Sequence, residues 1–325
     1  MAKYIWRQIN VWVWIEWTRG TAVSPAQWIP KTDFSFEEKM ETIQDESSIG
    51  VIVDSRGTEV IKKYWEWEIG GNIEVNSIGY LLLWTLWTVS SEEDTTWAYK
   101  HSFELNNSNQ IQSLSIWVSD PVLWDVEYWL WSIESMTISA SEWEFATFTV
   151  NFRSKPWEST SHTVSYDVDY KLLARHSIFK TATNSAWLDA ADNVCLRSFE
   201  ITFTKNLEDD YCIWSISPED FINQNFTIEW SFTAVFENDT FRSYALDGTK
   251  RAIRFSLVDT DTDIWVSSNP ELTIDLPLAS FTEFSRSQWN DETVTQTVTF
   301  KGLYSNTDSS AVDIDLVNTT ADYTA

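Results

Sequence analysis

The sequence predicts a mainly β protein with antiparallel strands and few short helices, whose order of elements is duplicated along the chain. Three observations lead to this prediction. Apolar and β-branched residues alternate with polar ones in short runs, clusters of Asp, Asn, Ser and Pro separate these runs, and the order of the runs repeats after about half of the chain. With 325 residues, 43% of them hydrophobic, the chain is long enough for two packed domains or for one large β architecture.

Several runs have the period of two residues that is typical of strands with one buried face. They cover residues 68–75, 113–118, 136–140, 145–152, 199–204, 226–236, 252–257, 271–276 and 293–300. Two other segments predict helices. Residues 77–91 form the longest uncharged apolar stretch, which is too short to span a bilayer, and residues 77–87 within it suit a buried helix. Residues 239–246 can begin on Asn238 or Asp239, both good N-cap residues.

The order of the elements indicates an internal repeat. Residues 33–36 precede an acidic turn, a strand and a helix, and residues 198–201 precede the same three features. Between the halves, residues 155–169 are rich in Ser, Thr and charge and are typical of a linker. We therefore expect two domains, 1–163 and 164–325. The alternative is that this order recurs by chance, as it can in any α+β protein.

The chain has 21 tryptophans and 8 glycines, whereas ordinary usage gives about 7% glycine, roughly 23 residues at this length. Several tryptophans stand in predicted turns, where a residue that tolerates positive φ is expected; examples are Trp143, Trp157, Trp265 and Trp289. The pattern becomes an ordinary β protein if most tryptophans are replaced by glycine. The codon UGA encodes tryptophan in some genetic codes and glycine in others, so translation under the wrong code would produce this composition.

The alternative is that the tryptophans are genuine and form a sugar-binding surface. Tyr64-Trp65-Glu66-Trp67 and Tyr128-Trp129-Leu130-Trp131 could be stacking platforms, or they could be Tyr-Gly-Glu-Gly and Tyr-Gly-Leu-Gly bends at strand ends. The second interpretation is favoured because the excess occurs in turns, in a predicted helix and at the N-terminus. No single face could collect all of these side chains.

The sequence predicts no catalytic residues. A nucleophile needs a neighbouring base, and the three histidines, His101, His162 and His176, lie near no nucleophile motif and are expected to be ordinary surface or loop residues. Carboxylate pairs suited to glycoside hydrolysis carry no weight among 49 acidic residues. We therefore expect that the protein is not an enzyme.

The sequence predicts no metal or cofactor site either. Alternating aspartates at residues 259–263 resemble a calcium loop but lack its glycine and its position-12 glutamate, so a solvated acidic loop is expected. Cys195 and Cys212 are expected to be reduced, partly buried thiols. The formal charge of −27 excludes a protein that grips nucleic acid, because phosphate contacts need Lys and Arg.

Two sets of segments carry a family resemblance. The first contains residues 10–22, with Thr18-Arg19-Gly20-Thr21-Ala22, and residues 28–31; the second contains residues 209–220, 226–253, 267–277 and 294–304. Both resemble tail tube, or major tail, proteins of bacteriophages with long, non-contractile tails. The departures are almost all tryptophan for glycine. On this comparison Trp28 is genuine, whereas Trp12 and Trp14 stand where the family has glycine.

The resemblance implies a structural virion protein, synthesised in the host cytoplasm, in which each domain is an antiparallel β-sandwich or barrel with one short flanking α-helix. Its subunits would join edge to edge into rings that stack as a hollow tube. Other tail proteins (tape measure, tail terminator, distal tail) would be partners, and double-stranded DNA would pass through an acidic lumen without specific binding or a membrane. If each half is one tube domain, three chains form a ring; if one half decorates the exterior, six are needed. The alternative function is a carbohydrate-binding or adhesion module with genuine tryptophans.

Overall fold

The computed structural model describes residues 5–16, 18–21, 27–108, 110–121, 125–155, 157–159, 163–166, 169–265, 268–287 and 293–323. Within these residues the fold is mainly β, with antiparallel sheets and two α-helices, as the sequence predicts. The arrangement is sandwich-like, and the described strands do not close into a barrel within one chain. The turn around Trp289 and the histidine His162 lie outside the described residues.

The first half contains ten strands and one α-helix in the described residues. They are β1 (Asn10–Ile15), β2 (Gln27–Trp28), β3 (Asp33–Asp45), β4 (Gly57–Asn72), α1 (Val75–Leu86), β5 (Trp87–Thr95), β6 (Ala98–Leu105), β7 (Leu114–Ser119), β8 (Val126–Ser141), β9 (Thr147–Ser154) and β10 (Trp157–Ser159). β3 and β4 are longer than the sequence predicts. β3 continues to Asp45, through residues where an acidic turn is expected, and β4 begins at Gly57 instead of at residue 68. The predicted strand at residues 68–75 ends early, at Asn72, and Val75 begins the helix.

The second half contains nine strands and one α-helix in the described residues. They are β11 (Ser177–Ala182), β12 (Leu196–Thr204), β13 (Glu208–Asp210), β14 (Asp220–Ile222), β15 (Thr227–Val235), α2 (Thr240–Asp247), β16 (Lys250–Val258), β17 (Glu271–Arg286), β18 (Thr295–Gly302) and β19 (Asp313–Asn318). β17 continues past Pro277, where the sequence predicts its end. Pro277 is tolerated because it lies at a register shift against β16, beyond the last residue paired with β19.

The same strand order occurs in both halves. β3, β4, β9 and the C-terminal part of β8 form one antiparallel set of neighbours. β12, β15, β18 and the C-terminal part of β17 form another in the same order. β8 also pairs with β12, from Ser135↔Thr204 to Ser141↔Ser198. The two sets are therefore joined edge to edge into one continuous sheet of eight strands.

This sheet has an apolar and a polar face, because side chains alternate along each strand. On the apolar face, Trp67 contacts Phe36 at 4.0 Å between ring centroids, and Trp230 contacts Phe300 at 5.2 Å. All but one of the twelve residues of α1 are buried against this core. In α2 only Phe241 is buried, so the two flanking helices differ in how deeply they pack.

Candidate assembly surface

The most prominent surface feature is a two-stranded arm formed by β3 and β4. Pairing between β4 and β9 ends at Trp65↔Ser154, whereas pairing between β3 and β4 continues to Asp45↔Gly57. The outer part of the hairpin therefore extends beyond the sheet. Ion pairs such as Lys62 with Glu41 lie along it, and exposed pairs of this kind contribute little to stability.

The tip of the arm is apolar and fully accessible. Ile49 is 61% exposed, Ile52 is 106% and Val53 is 70%. Near the base of the arm, the backbone N–H of Lys63 donates to the carbonyl of Ile216 at 2.7 Å. The first half thus presents an exposed apolar tip on a hairpin whose base is held by a loop of the second half. Clustered exposed aliphatic residues are typical of an interaction site.

The eight-stranded sheet ends in two open edges. In the described part of the chain, β3 pairs with β4 on one edge and with no strand on the other. At the opposite end of the sheet, residues 281–286 of β17 pair with β18 alone, because β16 ends its pairing at Lys250↔Ser280. Open edges present unpaired N–H and C=O groups that can template pairing with another chain.

The junction between β8 and β12 shows how two such edges fit together. Seven consecutive residue pairs join the strands in regular antiparallel register. Apolar pairs such as Ile138↔Ile201 face the core, and the hydroxyls of Thr137 and Thr202 lie 2.9 Å apart on the polar face. Cross-strand pairs of these types stabilise sheets.

Two ion pairs join the halves, one between Arg153 and Asp209 and one between Arg19 and Asp220. Arg153 of β9 donates to Glu134 of β8 at 3.0 Å and to Asp209 of β13 at 2.9 Å. The two carboxylates raise the pKa of Arg153 against the opposing effect of its burial. Arg19 likewise donates to Asp220 of β14 at 2.8 Å. Each guanidinium is partly buried, so these pairs hold the relative position of the halves better than exposed pairs do.

Two buried charged groups fix the segments around the sheet. The Glu16 carboxylate accepts hydrogen bonds from the Gly20 and Leu130 amides and from the Ser115 hydroxyl, and burial raises its pKa. The Lys205 ammonium donates to the carbonyl of Trp84 at 2.6 Å, near the C-terminal end of α1. Burial, with a smaller effect of the Arg19 charge, lowers the pKa of Lys205 to about 7.

The polar face of the sheet is rich in Ser, Thr and acidic residues. The strand registers show which charged side chains of the paired residues lie on this face, because alternate residues of a strand point to the same side of the sheet. The acidic ones include Glu37, Glu66, Glu68, Glu200, Glu229 and Glu283, and the basic ones include Lys39, Arg153 and Lys301. The face is therefore net acidic, a property that strand-by-strand sequence reasoning could not assign to one surface.

The prediction that the histidines lie in loops or on the surface is wrong for His101, whereas His176 lies in a short turn before β11 but is buried. His101 is fully buried on β6. Its ring forms hydrogen bonds with the hydroxyl of Ser91 at 2.7 Å and with the carbonyl of Thr320 at 2.8 Å. Its burial and these bonds prevent it from approaching a substrate. His176 is also buried, and Asp259 lies 3.5 Å from its ring.

The aspartate run at residues 259–263 meets a histidine that sequence spacing did not connect with it. Ligand atoms of His176, Asp259 and Asp261 lie within 4.8 Å of one another. The Arg175 guanidinium donates to the His176 ring at 3.2 Å and to Asp261 at 2.8 Å. A positive charge of the chain itself therefore occupies this cluster.

Both cysteines are free thiols, as expected, but Cys195 is exposed and only Cys212 is partly buried. Cys195 lies in the segment just before β12 begins at Leu196, outside the alternation that buries side chains of that strand. In the described part of the chain, no helix is long and apolar enough to cross a bilayer.

The described surface is that of a protein with antiparallel sheets, open sheet edges and a projecting arm, features that suit assembly with other chains. The sequence profile of the family described as phage tail tube protein matches residues 126–302, more than half of the chain. The chain therefore belongs to the phage tail tube protein family and is a structural component of a virion tail. The match begins with β8 and ends with β18, so it spans the β8–β12 junction. No curated protein matches the sequence.

Proposed function

We propose that this protein assembles with copies of itself into rings, and that the rings stack into the hollow tube of a long, non-contractile tail. The observation that carries this proposal is the edge-to-edge junction of two sheets with the same strand order inside one chain. A contact between two neighbouring tube subunits would have this geometry. The two remaining open edges can then form the same contact between chains.

The repeated strand order supports a duplication with a boundary near residue 163 and three chains per ring. Three chains would contribute six equivalent sheets, and the internal junctions would alternate with intermolecular ones. If instead only one half lined the lumen, six chains would be required. The internal junction favours three, because both halves already lie side by side in one sheet.

The arm and the polar face fit two further steps of tube formation. The apolar tip around Ile52 suits a contact with the next ring, where its side chains would be buried. The acidic polar face suits the lumen, since negative charge repels DNA phosphates and lets the duplex slide during ejection. Other tail proteins would close the two ends of the tube, and synthesis would take place in the host cytoplasm.

The alternative of a carbohydrate-binding module receives little support. The strongly exposed tryptophans, Trp97, Trp143, Trp187 and Trp214, lie on separate loops and turns, and among the described ring contacts none joins two of them. They do not form one stacking platform for a sugar chain.

Negative-stain electron microscopy of the purified full-length chain tests the proposed function. We expect rings or tubes with a central channel. A protein that remains monomeric across concentration and salt, and is retained on a polysaccharide column, would overturn the proposal and support the carbohydrate-binding alternative.

A further inference from the structure

Rows of paired residues show which position in the four strands of the first half corresponds to which position in the four strands of the second half. In the first half, Phe36 pairs with Trp67, which pairs with Phe152, which pairs with Ile133. In the second half, the same row is formed by Ile201, Trp230, Phe300 and Phe281. Phe36 therefore corresponds to Ile201 and Ile133 to Phe281.

A bulge confirms this correspondence independently. One extra residue interrupts the register directly after Ile133 in β8 and directly after Phe281 in β17, opposite Phe152 and Phe300 respectively. Bulges are specific features that re-aim a strand. Beyond the bulge, β8 pairs with β12, whereas the same edge of β17 is open.

The internal junction thus provides the register for a contact between copies. Ile138↔Ile201 in the junction corresponds to Arg286↔Phe36, and Ser135↔Thr204 corresponds to Glu283↔Lys39. We propose that β3 of one chain pairs antiparallel with residues 283–286 of β17 in a second copy, an inference that rests on the proposed ring assembly. In this pairing Lys39 lies opposite Glu283, and Glu37 lies opposite Ser285.

The charges of the two edges agree with this register. Lys39 and Glu283 are opposite charges brought face to face, and Arg286 comes next to the aromatic ring of Phe36, which is 39% exposed in the single chain. In the internal junction these positions hold Thr, Ser and Ile. The charged pair would make the intermolecular contact selective for a second copy of this chain.

Charge exchange tests the pair. We expect Lys39→Glu to lower the assembled fraction, measured by sedimentation, at least several-fold, and the double variant Lys39→Glu with Glu283→Lys to restore it. Lys63→Glu, on the neighbouring strand of the arm, is the matched control and should assemble normally. A double variant that assembles no better than Lys39→Glu would overturn the register.

Disulfide formation tests the register directly, in a background where Cys195 and Cys212 are replaced by Ser. Glu37→Cys with Ser285→Cys should give covalent oligomers on oxidation, because directly opposite residues lie within disulfide reach. Glu37→Cys with Glu283→Cys, displaced by two residues, should not. If tubes form but the displaced pair of cysteines cross-links as well as the opposite pair or better, the register is overturned and the proposed function remains intact. If no tubes form, the result counts against the proposed function itself.

A second inference rests on backbone conformation. Six described residues other than glycine have positive φ, and three are tryptophans: Trp87 at 77°, Trp97 at 69° and Trp143 at 70°. This left-handed region suits glycine and strains residues with a Cβ. A concentration of tryptophan in this region has no ordinary physical reason.

The two helices give the clearest comparison. α1 ends at Leu86 and is capped by Trp87, whose N–H donates to the carbonyl of Leu83. α2 ends at Asp247 and is capped by Gly248, which has φ of 64° and whose N–H donates to the carbonyl of Tyr244. Both are left-handed C-caps, a position dominated by glycine. Trp97 occupies the turn between β5 and β6, next to the Thr95↔Ala98 pair, where glycine is again preferred.

We infer that Trp87, Trp97 and Trp143 stand at positions where the native protein has glycine, encoded by UGA codons that the host reads as glycine. Peptide mass spectrometry of protein isolated from virions should give glycine masses at all three positions and a tryptophan mass at Trp28. The gene should carry UGA at the three codons and UGG at codon 28. Tryptophan masses, or UGG codons, at the three positions would overturn the inference.

Discussion

At the scale of single residues, substitutions at Trp143 can measure the cost of backbone strain without a large effect of lost side-chain contacts. It is 98% exposed with φ of 70°, so its ring makes little contact while its Cβ strains the backbone. We consider the recombinant chain that carries all 21 tryptophans of the sequence. In this chain Trp143→Gly should raise the free energy of unfolding by about 1 kcal/mol relative to Trp143→Ala, which keeps the Cβ. Denaturant unfolding measures the difference. Equal stabilities of the two variants would show that the backbone there is not strained.

Lys205 gives the protein a pH-dependent stability. Its pKa is about 7 in the folded chain and 10.5 ordinarily, so between these values the unfolded chain binds the extra proton. The free energy of unfolding therefore rises with pH across this interval. Urea unfolding at pH from about 7 to about 9 should show the rise, and Lys205→Met should lack this contribution. The same slope in both proteins would contradict the assignment.

At the scale of elements, the arm shows where sequence reasoning failed. Residues beyond Phe36 were expected to turn, but β3 continues to Asp45. The hydrophobic alternation that reveals a strand comes from burying one face. Most of the outer part of β3 is exposed on both faces, so its sequence carries polar and acidic residues without a period. Strands that project from the core cannot be recognised by that signal.

The tip of the arm carries a testable role in stacking. Ile52→Asp should leave the monomer folded, because Ile52 is 106% exposed, but should reduce long tubes to single rings or short stacks. Tube length in electron micrographs is the measurement. Leu246→Asp, an exposed apolar position on α2 at 71%, is the matched control and should give normal tubes. Normal tube length in Ile52→Asp would exclude the tip from stacking.

Buried elements were predicted well for the complementary reason. β15, predicted at residues 226–236, forms over Thr227–Val235, because alternate residues such as Trp230 and Phe232 pack in the core. The helix α1 was recognised from its apolar run. The sequence predicts Trp87 as its final residue, but the helix ends at Leu86, and Trp87 adopts the left-handed conformation and begins β5.

At the scale of the whole molecule, the sequence predicts the fold class and the family resemblance but not the assembly surface. The likeness of residues 33–36 to residues 198–201 is visible in the sequence, and in the structure Phe34 and Phe199 occupy matching rows. The open edges are not visible, because pairing depends on which strands become neighbours in space. The family match at residues 126–302 covers most of the second half and the end of the first, and it leaves the N-terminal resemblance outside it.

The number of chains in one ring tests the central claim most directly. Electron cryomicroscopy of tubes formed by the full-length chain should show three chains per ring, with both halves of each chain lining the channel as six similar sheets. Six chains per ring, with one half of each on the exterior, would contradict the account.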